Sequence, residues 1–232
     1  MSAAAMIAAA RAQGRLALDE LQGKKLLASF GVSIPKSVIV KDAKSAASAV
    51  MQLTPPFALK IMSPDILHKS DAGGVKIGLQ SGPDIEQAIQ TMAARPAIKS
   101  ARVDGFLIEE MAPPGQEIVV GAVRDADFGP MVMVGLGGIF VEVLGDVAFR
   151  ICPITRLDAA EMLDDLKGSA ILGGARGRKA VSRDAIIDVL MKVGGDNGLL
   201  MQHADDFKEA DINPLIVSET AAVAVDARFV LA

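Results

Sequence analysis

The sequence predicts an α+β protein built in two parts. Helix-like and strand-like segments alternate up to about residue 110, and the break "APPGQ" follows at 112–116. Beyond it, short β-branched runs separated by Gly, Asp or Pro take over, as in an antiparallel sheet. A chain of 232 residues has room for one large domain or two small ones with a sizeable core.

The opening "MSAAAMIAAARAQGR" reads as an alanine-rich helix. It lacks the charged n-region of an export signal, and Arg11 and Arg15 interrupt it too early for a membrane span. A second helix runs from Asp19 to Phe30, with acids at its positive end and Gly31 closing it. "SVIV" (37–40) is a strand, and Asp42 caps a helix over "AKSAASAVMQL" that sets Ala46, Val50 and Leu53 on one face. "FALKI" (57–61) is the next strand. A helix from Asp84 to Ala94 turns Ile85, Ala88, Ile89 and Met92 inward, and "GFLIEEM" (105–111) leads into the Pro-Pro break.

After the break come "EIVVGAV", "PMVMVG", "IFVEVL" and "VAFRI" as closely spaced strands. Helices near Asp158–Leu166 and Ser182–Val193 follow, and "EADINPLIV" and "AAVAVDARF" end the chain as a strand pair. The expected divisions are a lead-in helix over 1–19, a first subdomain over 20–110 and a second over 111–232.

Composition narrows the function. A net charge of −4 and a pI near 5.3 give no basic footprint, which argues against a nucleic-acid partner. No run reaches ~18 uncharged apolar residues, so no membrane span is expected. Cys152, the one cysteine, cannot form an internal disulfide, which fits a reducing cytoplasm, and its apolar neighbours read as core.

Chemistry concentrates in two places. In "ALKIMSPDILHKSDAGGVKIGL" (58–79), Lys60 is a charge within an apolar strand. It either snorkels from the sheet or meets an anion such as phosphate. Gly73 and Gly74 either cradle an anion with their amides or form a plain hairpin turn. His68, one of two histidines, is either a filler at the bend or a reacting group. Neither a P-loop nor a dinucleotide-binding glycine pattern is present. Near the end, a hairpin turn at Ser218–Ala221 would bring Asn213 close to Asp226, with Asp211 beside them. Such an oxygen set suits Mg²⁺, though Asn-Pro is also an ordinary strand end. Glu109, Glu110, Glu117 and Glu142 are further acids at strand ends.

In order, Lys60 in its strand, "HKSDAGGV", "LIEEMAPPGQEIVVG", "GLGGIFVEVLGDVAFR" and "DINPLIV…VDAR" resemble the ATP-grasp domain of ADP-forming acyl-CoA synthetases, relatives of succinyl-CoA synthetase. "GRLALDELQGKKLLASFGVSIP" resembles the family's opening, with Gln22 and Gly23 in place of a usual Glu-Ala. The resemblance covers roughly residues 7 to 230. It implies an ATP-grasp fold whose two subdomains hold nucleotide between them, with ATP or ADP and Mg²⁺ as cofactors. It gives Lys60 to the ATP phosphates, with Gly73 and Gly74 as further phosphate contacts. Glu109, Glu110 and Met111 match the adenine-holding strand, and Glu117 the acid near ribose or metal. Arg150 becomes either a phosphate clamp or a structural ion-pair partner. Asp211, Asn213 and Asp226 match the metal ligands. His68 matches a histidine proposed to carry a phosphoryl group.

The resemblance further implies a cytoplasmic acid–thiol ligase part that depends on a CoA-binding partner subunit or domain. Two alternatives belong beside it: a non-catalytic nucleotide-responsive module of a larger regulatory or acetyltransferase protein, and a carboxylate–amine ligase. The joint presence of His68, Lys60, Asn213 and Asp226 favours the synthetase. His203, in a polar segment, reads as a surface residue.

Overall fold

The computed structural model describes residues 2–66, 68–138, 145–174 and 179–232. Two compact units result: Pro35–Ala112 forms one, and Met1–Ile34 joins Pro113–Ala232 to form the other. The strand expected over "IFVEVL", with Glu142, lies outside the described residues.

Helix α1 (Ala3–Ala12) starts where the Ser2 hydroxyl accepts the Ala5 amide, and it buries Met6, Ile7 and Ala10. After the short strand β1 (Ala17–Leu18), Asp19 opens helix α2 (Glu20–Ser29) with a capping box. The Asp19 carboxylate accepts the Gln22 amide at 2.8 Å, and the Gln22 side chain accepts the Asp19 amide at 3.2 Å. Gly31, at φ 81°, takes the left-handed turn after the helix.

The contiguous unit is a four-stranded antiparallel sheet in the order β2-β5-β3-β4, where β2 is Ser37–Val40, β3 Phe57–Met62, β4 Val75–Leu79 and β5 Gly105–Glu110. Helix α4 (Gly82–Ala93) covers one face with Ile85, Ile89 and Met92, against Phe57, Leu59, Ile61, Phe106 and Ile108. The helix expected over 43–53 is broken. A single α turn, α3 (Ala46–Ala49), sits between two 3₁₀ turns. Ser45 and Ser48 hydroxyls bond back to the Asp42 and Ser45 carbonyls, competing with the helical ladder. A short helix α5 (Pro96–Lys99), absent from the sequence reading, begins at a proline.

The two-segment unit carries an antiparallel sheet in the order β1-β11-β9-β6-β7-β8, with β10 also on β9. Its strands are β6 (Gln116–Asp125), β7 (Gly129–Leu136), β8 (Val147–Ile151), β9 (Phe207–Val217), β10 (Ala222–Ala224) and β11 (Arg228–Leu231). Helices α6 (Arg156–Asp164), α7 (Arg183–Gly194) and α8 (Leu199–Gln202) add Met162, Leu163, Ile186, Leu190 and Leu199 to its core. Residues 20–34, expected in the first subdomain, belong to this unit for a clear reason. Ala17 and Leu18 pair with Val230 and Phe229, and the Ala224 amide donates to the Ser33 carbonyl at 2.9 Å.

Candidate active site

In the contiguous unit, Lys60 lies opposite Leu107 and Ala58 opposite Glu109, so Lys60 and Glu109 are diagonal neighbours on the sheet face away from α4. Their side chains meet as an ion pair, Nζ to Oε2 3.1 Å, at 5% and 1% exposure. A buried ammonium needs an anion, and in this structure Glu109 is that anion. The Glu109 side chain, expected at the adenine, is turned onto Lys60.

The turn after β3 carries His68 on an exposed stretch, with its carbonyl accepting the Ala72 amide at 3.2 Å. The two glycine amides are engaged within the turn. The Gly73 amide donates to the Ser70 carbonyl at 2.9 Å and the Gly74 amide to the Lys69 carbonyl at 2.6 Å. Their conformation and space explain the pair instead: Gly73 has φ 68°, and a side chain at Gly74 would collide with Ile61. The hairpin alternative therefore describes the turn, with both amides engaged inside it. Gly73 also sits at the end of an open groove of about 500 Å³ between β4 and α4, whose rim includes Lys76, Asp84 and Arg95.

At the end of β5 the Glu110 amide donates to the Lys36 carbonyl at 3.0 Å, and its carboxylate accepts the Thr54 amide at 2.9 Å. The Met111 amide donates to the Pro56 carbonyl at 2.9 Å, while its side chain is exposed. Both amides of the expected adenine strand are thus engaged within the unit. The exposed Met111 thioether is what this strand end presents outward.

In the other unit, β9 does not end at Asn213-Pro214 but runs through it. This is where the strand changes partner, from β11 up to Asp211 to β10 from Leu215 onward, and a missing amide is tolerated at such a break. The Asn213 amide donates to the Asp226 carbonyl at 3.2 Å, and the Val225 amide to the Pro214 carbonyl at 3.0 Å. Ser218 closes the expected hairpin, its amide bonded to the Ala221 carbonyl at 2.8 Å. Asp211 sits on the same strand, opposite Arg228 and Gly121. Burial pushes the Asp211 carboxyl above its usual range, and the charges of Asp226 and Glu209 push it further, with Arg228 opposing them. Two carboxylates that repel each other fit a hard divalent cation, and Asn213 follows Asp211 on the same strand with its amide on the Asp226 carbonyl. Among the described residues no group of three or more His, Cys, Asp or Glu side chains is arranged for a metal. The fit is therefore a sparse oxygen set for an ion that keeps several waters, as Mg²⁺ does.

Glu117, on β6, is exposed, and its carbonyl accepts the Gly137 amide at 2.8 Å. A side chain at Gly137 would strike the Glu117 Cβ, so the glycine lets that turn close over β6. Arg150 takes the structural alternative: its guanidinium lies 2.7 Å from Asp165 and 3.9 Å from Glu161, and it also donates to the Phe149 carbonyl. Cys152 is buried, and burial raises its thiol to about 11, as an inert core residue requires. His203 is not a surface histidine. Its side chain is 13% exposed, packs edge-on to Phe30 and Phe207, and lies 2.9 Å from Asp206.

One pair escaped the sequence reading. Glu20 and Lys24 lie on the buried stripe of α2 that Leu27 continues, and their side chains meet at 2.9 Å. The signal was an i, i+4 charge pair at apolar positions.

The fold and these residues define an ATP-grasp protein, and comparison with known proteins agrees: residues 9–231 match the ATP-grasp domain family. The chain belongs to that family, in its branch of ADP-forming acetate–CoA ligase beta subunits. It is 42% identical over 228 residues to the beta subunit of acetate–CoA ligase [ADP-forming] I from Pyrococcus furiosus, spanning 97% of this chain and 96% of that one. It is 39% identical to acetate–CoA ligase [ADP-forming] I from Archaeoglobus fulgidus, over 90% of this chain but only 30% of that protein. The acetyl-coenzyme A synthetase 1 of Ca. Korarchaeum cryptofilum, solved with coenzyme A and Ca-AMPCP, superposes with a TM-score of 0.92 at 35% identity over 100% of both chains. The same synthetase has been solved with a phosphorylated phosphohistidine segment, and there the TM-score is 0.89. No helix among the described residues is long and apolar enough to cross a membrane.

Proposed function

We propose that this chain is the nucleotide-binding subunit of an ADP-forming acyl-CoA synthetase. The overall reaction joins an acid, CoA and ATP into acyl-CoA, ADP and phosphate. The part played here is to pass a phosphoryl group between nucleotide and a histidine. The observation that carries the reading is end-to-end similarity to a beta subunit, with Asp211, Asn213 and Asp226 gathered at one break in β9.

His68 is the acceptor in this reading. A neutral imidazole nitrogen attacks the γ-phosphorus, an N–P bond forms, and the P–O bond to the leaving ADP breaks. An exposed ring on a turn can reach such a donor, and the label can return to ADP by the reverse step. Lys60 offers a cation to the phosphates, exchanging Glu109 for the incoming anion. Asp211, Asn213 and Asp226 would hold Mg²⁺, which when bound offsets charge on the phosphoryl oxygens. Met111 lies against the base, and Glu117, the first acid after the Pro-Pro break, stands near the ribose or the metal.

Acyl and CoA recognition belong to a partner subunit or domain. The Archaeoglobus relative is more than three times as long as the stretch this chain matches, which supports that division of labour. The reading places the protein in the cytoplasm.

The test uses γ-labelled ATP and Mg²⁺ with the protein alone and with its CoA-binding partner. An acid-labile, base-stable label is expected on the wild type and not on His68→Asn. Equal labelling of both would remove His68 from the mechanism. Tight Mg·ATP binding without label, even with the partner present, would leave a nucleotide-responsive module.

A further inference from the structure

Lys24 has 0% exposure and Glu20 8%, on a helix stripe otherwise given to core residues. Stability alone does not account for this. Apolar residues of similar size often serve a core as well as a buried ion pair does. What the pair touches is more informative. Lys24 Nζ lies 2.9 Å from Glu20 Oε1 and donates to the Val225 carbonyl at 3.3 Å. One helical step away, Gly23 lies so close to Ala227 that a Cβ there would stand 2.7 Å from the Ala227 carbonyl oxygen. Helix α2 therefore backs residues 225 and 227, on either side of Asp226.

That segment needs support. It falls between β10 and β11, outside both strands. On its other side it is tied by the Asn213 and Val225 amides, and the Asp226 carboxylate accepts the Ala227 amide at 2.8 Å. We propose that the Glu20–Lys24 pair is a positioning device that fixes the Val225–Ala227 segment and so aims the Asp226 carboxylate at a divalent cation. This rests on the metal reading given above. The paired form suits the task. A lone ammonium behind the segment would repel the cation, whereas Glu20 cancels its charge and leaves only its hydrogen bonds. Groups that orient metal ligands in this way commonly change metal affinity by about 10- to 100-fold when removed.

The probe is Mn²⁺, titrated against the full chain with and without ADP, with free Mn²⁺ read by electron paramagnetic resonance. Asp226→Asn should weaken binding. The double variant Glu20→Leu/Lys24→Met should keep cooperative unfolding yet bind Mn²⁺ about tenfold more weakly. Leu163→Ala, a core change in α6, should lower the unfolding midpoint and leave Mn²⁺ affinity alone. Equal binding by wild type and Asp226→Asn would overturn the metal reading and this proposal with it. Loss in Asp226→Asn beside wild-type affinity in the double variant would overturn the positioning role alone. Should the double variant not fold, Glu20→Gln decides: it removes the carboxylate charge beside Lys24 Nζ, weaker Mn²⁺ binding supports the proposal, and unchanged binding overturns it.

Discussion

The Asn213 amide and the Asp226 carbonyl are joined at 3.2 Å, so two residues thirteen positions apart leave neighbouring chain segments at one level. Asp211 completes the cluster and carries its electrostatic cost. Its folded-state carboxyl is raised above the ordinary aspartate value of 3.8, so the folded protein favours the protonated form. That contribution is fully present below the unfolded value and lost as pH rises through the folded one. At neutral pH the ionised Asp211 opposes folding. Asp211→Asn should therefore raise the melting temperature of the metal-free protein at pH 7, with the gain shrinking as pH falls toward 3.8. The same substitution should weaken Mg²⁺ binding. Melting curves across pH, with and without Mg²⁺, check both halves.

Lys60 and Glu109 should behave as an inseparable pair. Lys60→Ala removes a cation from beside a buried carboxylate and should cost about 3–5 kcal/mol. Lys60→Met with Glu109→Leu should recover most of that loss in urea denaturation, since no lone charge remains. Nucleotide affinity should stay low in both, because neither offers a cation to phosphate.

The glycines of the His68 turn should matter for folding more than for nucleotide. Gly73→Ala forces a side chain into the left-handed region, at about 1–2 kcal/mol. Gly74→Ala meets Ile61 and should cost about 1–3 kcal/mol. Nucleotide affinity, measured by calorimetry at a temperature where both variants are folded, should change by no more than about threefold, a difference of ~0.6 kcal/mol.

Arg150→Ala should be mild. Its partners Asp165 and Glu161 are half exposed, and pairs of that kind contribute about 0–1 kcal/mol. Phosphoryl transfer to protein should proceed at close to the wild-type rate, which a labelling time course would read directly.

Much of this was legible in the chain because local chemistry and final structure agree. Asp19 opens its helix with no distant partner, whereas the helix expected from Asp84 begins two residues earlier, after the Ser81 cap. The β-branched runs of β6 and β7 likewise announced themselves as strands. Non-local facts stayed hidden. Nothing near Lys60 says that Glu109, two strand positions off-register, is its counter-ion. Asn213-Pro214 looks like a strand end because local preference cannot see β10 and β11 exchanging along β9. The serines at 45 and 48 diverted backbone bonds that a periodicity argument assigns to a helix. At the candidate site, residue types were readable and their engagements were not. The Met111 amide is taken up by the distant Pro56 carbonyl, and the Gly73 and Gly74 amides by the path of their own turn onto Ser70 and Lys69.

The division into Pro35–Ala112 and a unit shared by Met1–Ile34 and Pro113–Ala232 sets an order of events during synthesis. The contiguous unit has all its strands once residue 112 has emerged, and its pairings span modest separations. The other unit must wait, because Leu18 finds Phe229 only when nearly the whole chain exists. Until then α1 and α2 hold apolar faces with nothing to cover them, and closing so long a loop is slow. A ribosome stalled before β11, or a protease that clips it, would thus undo both ends of the chain at once. It would also release the segment that carries Asp226.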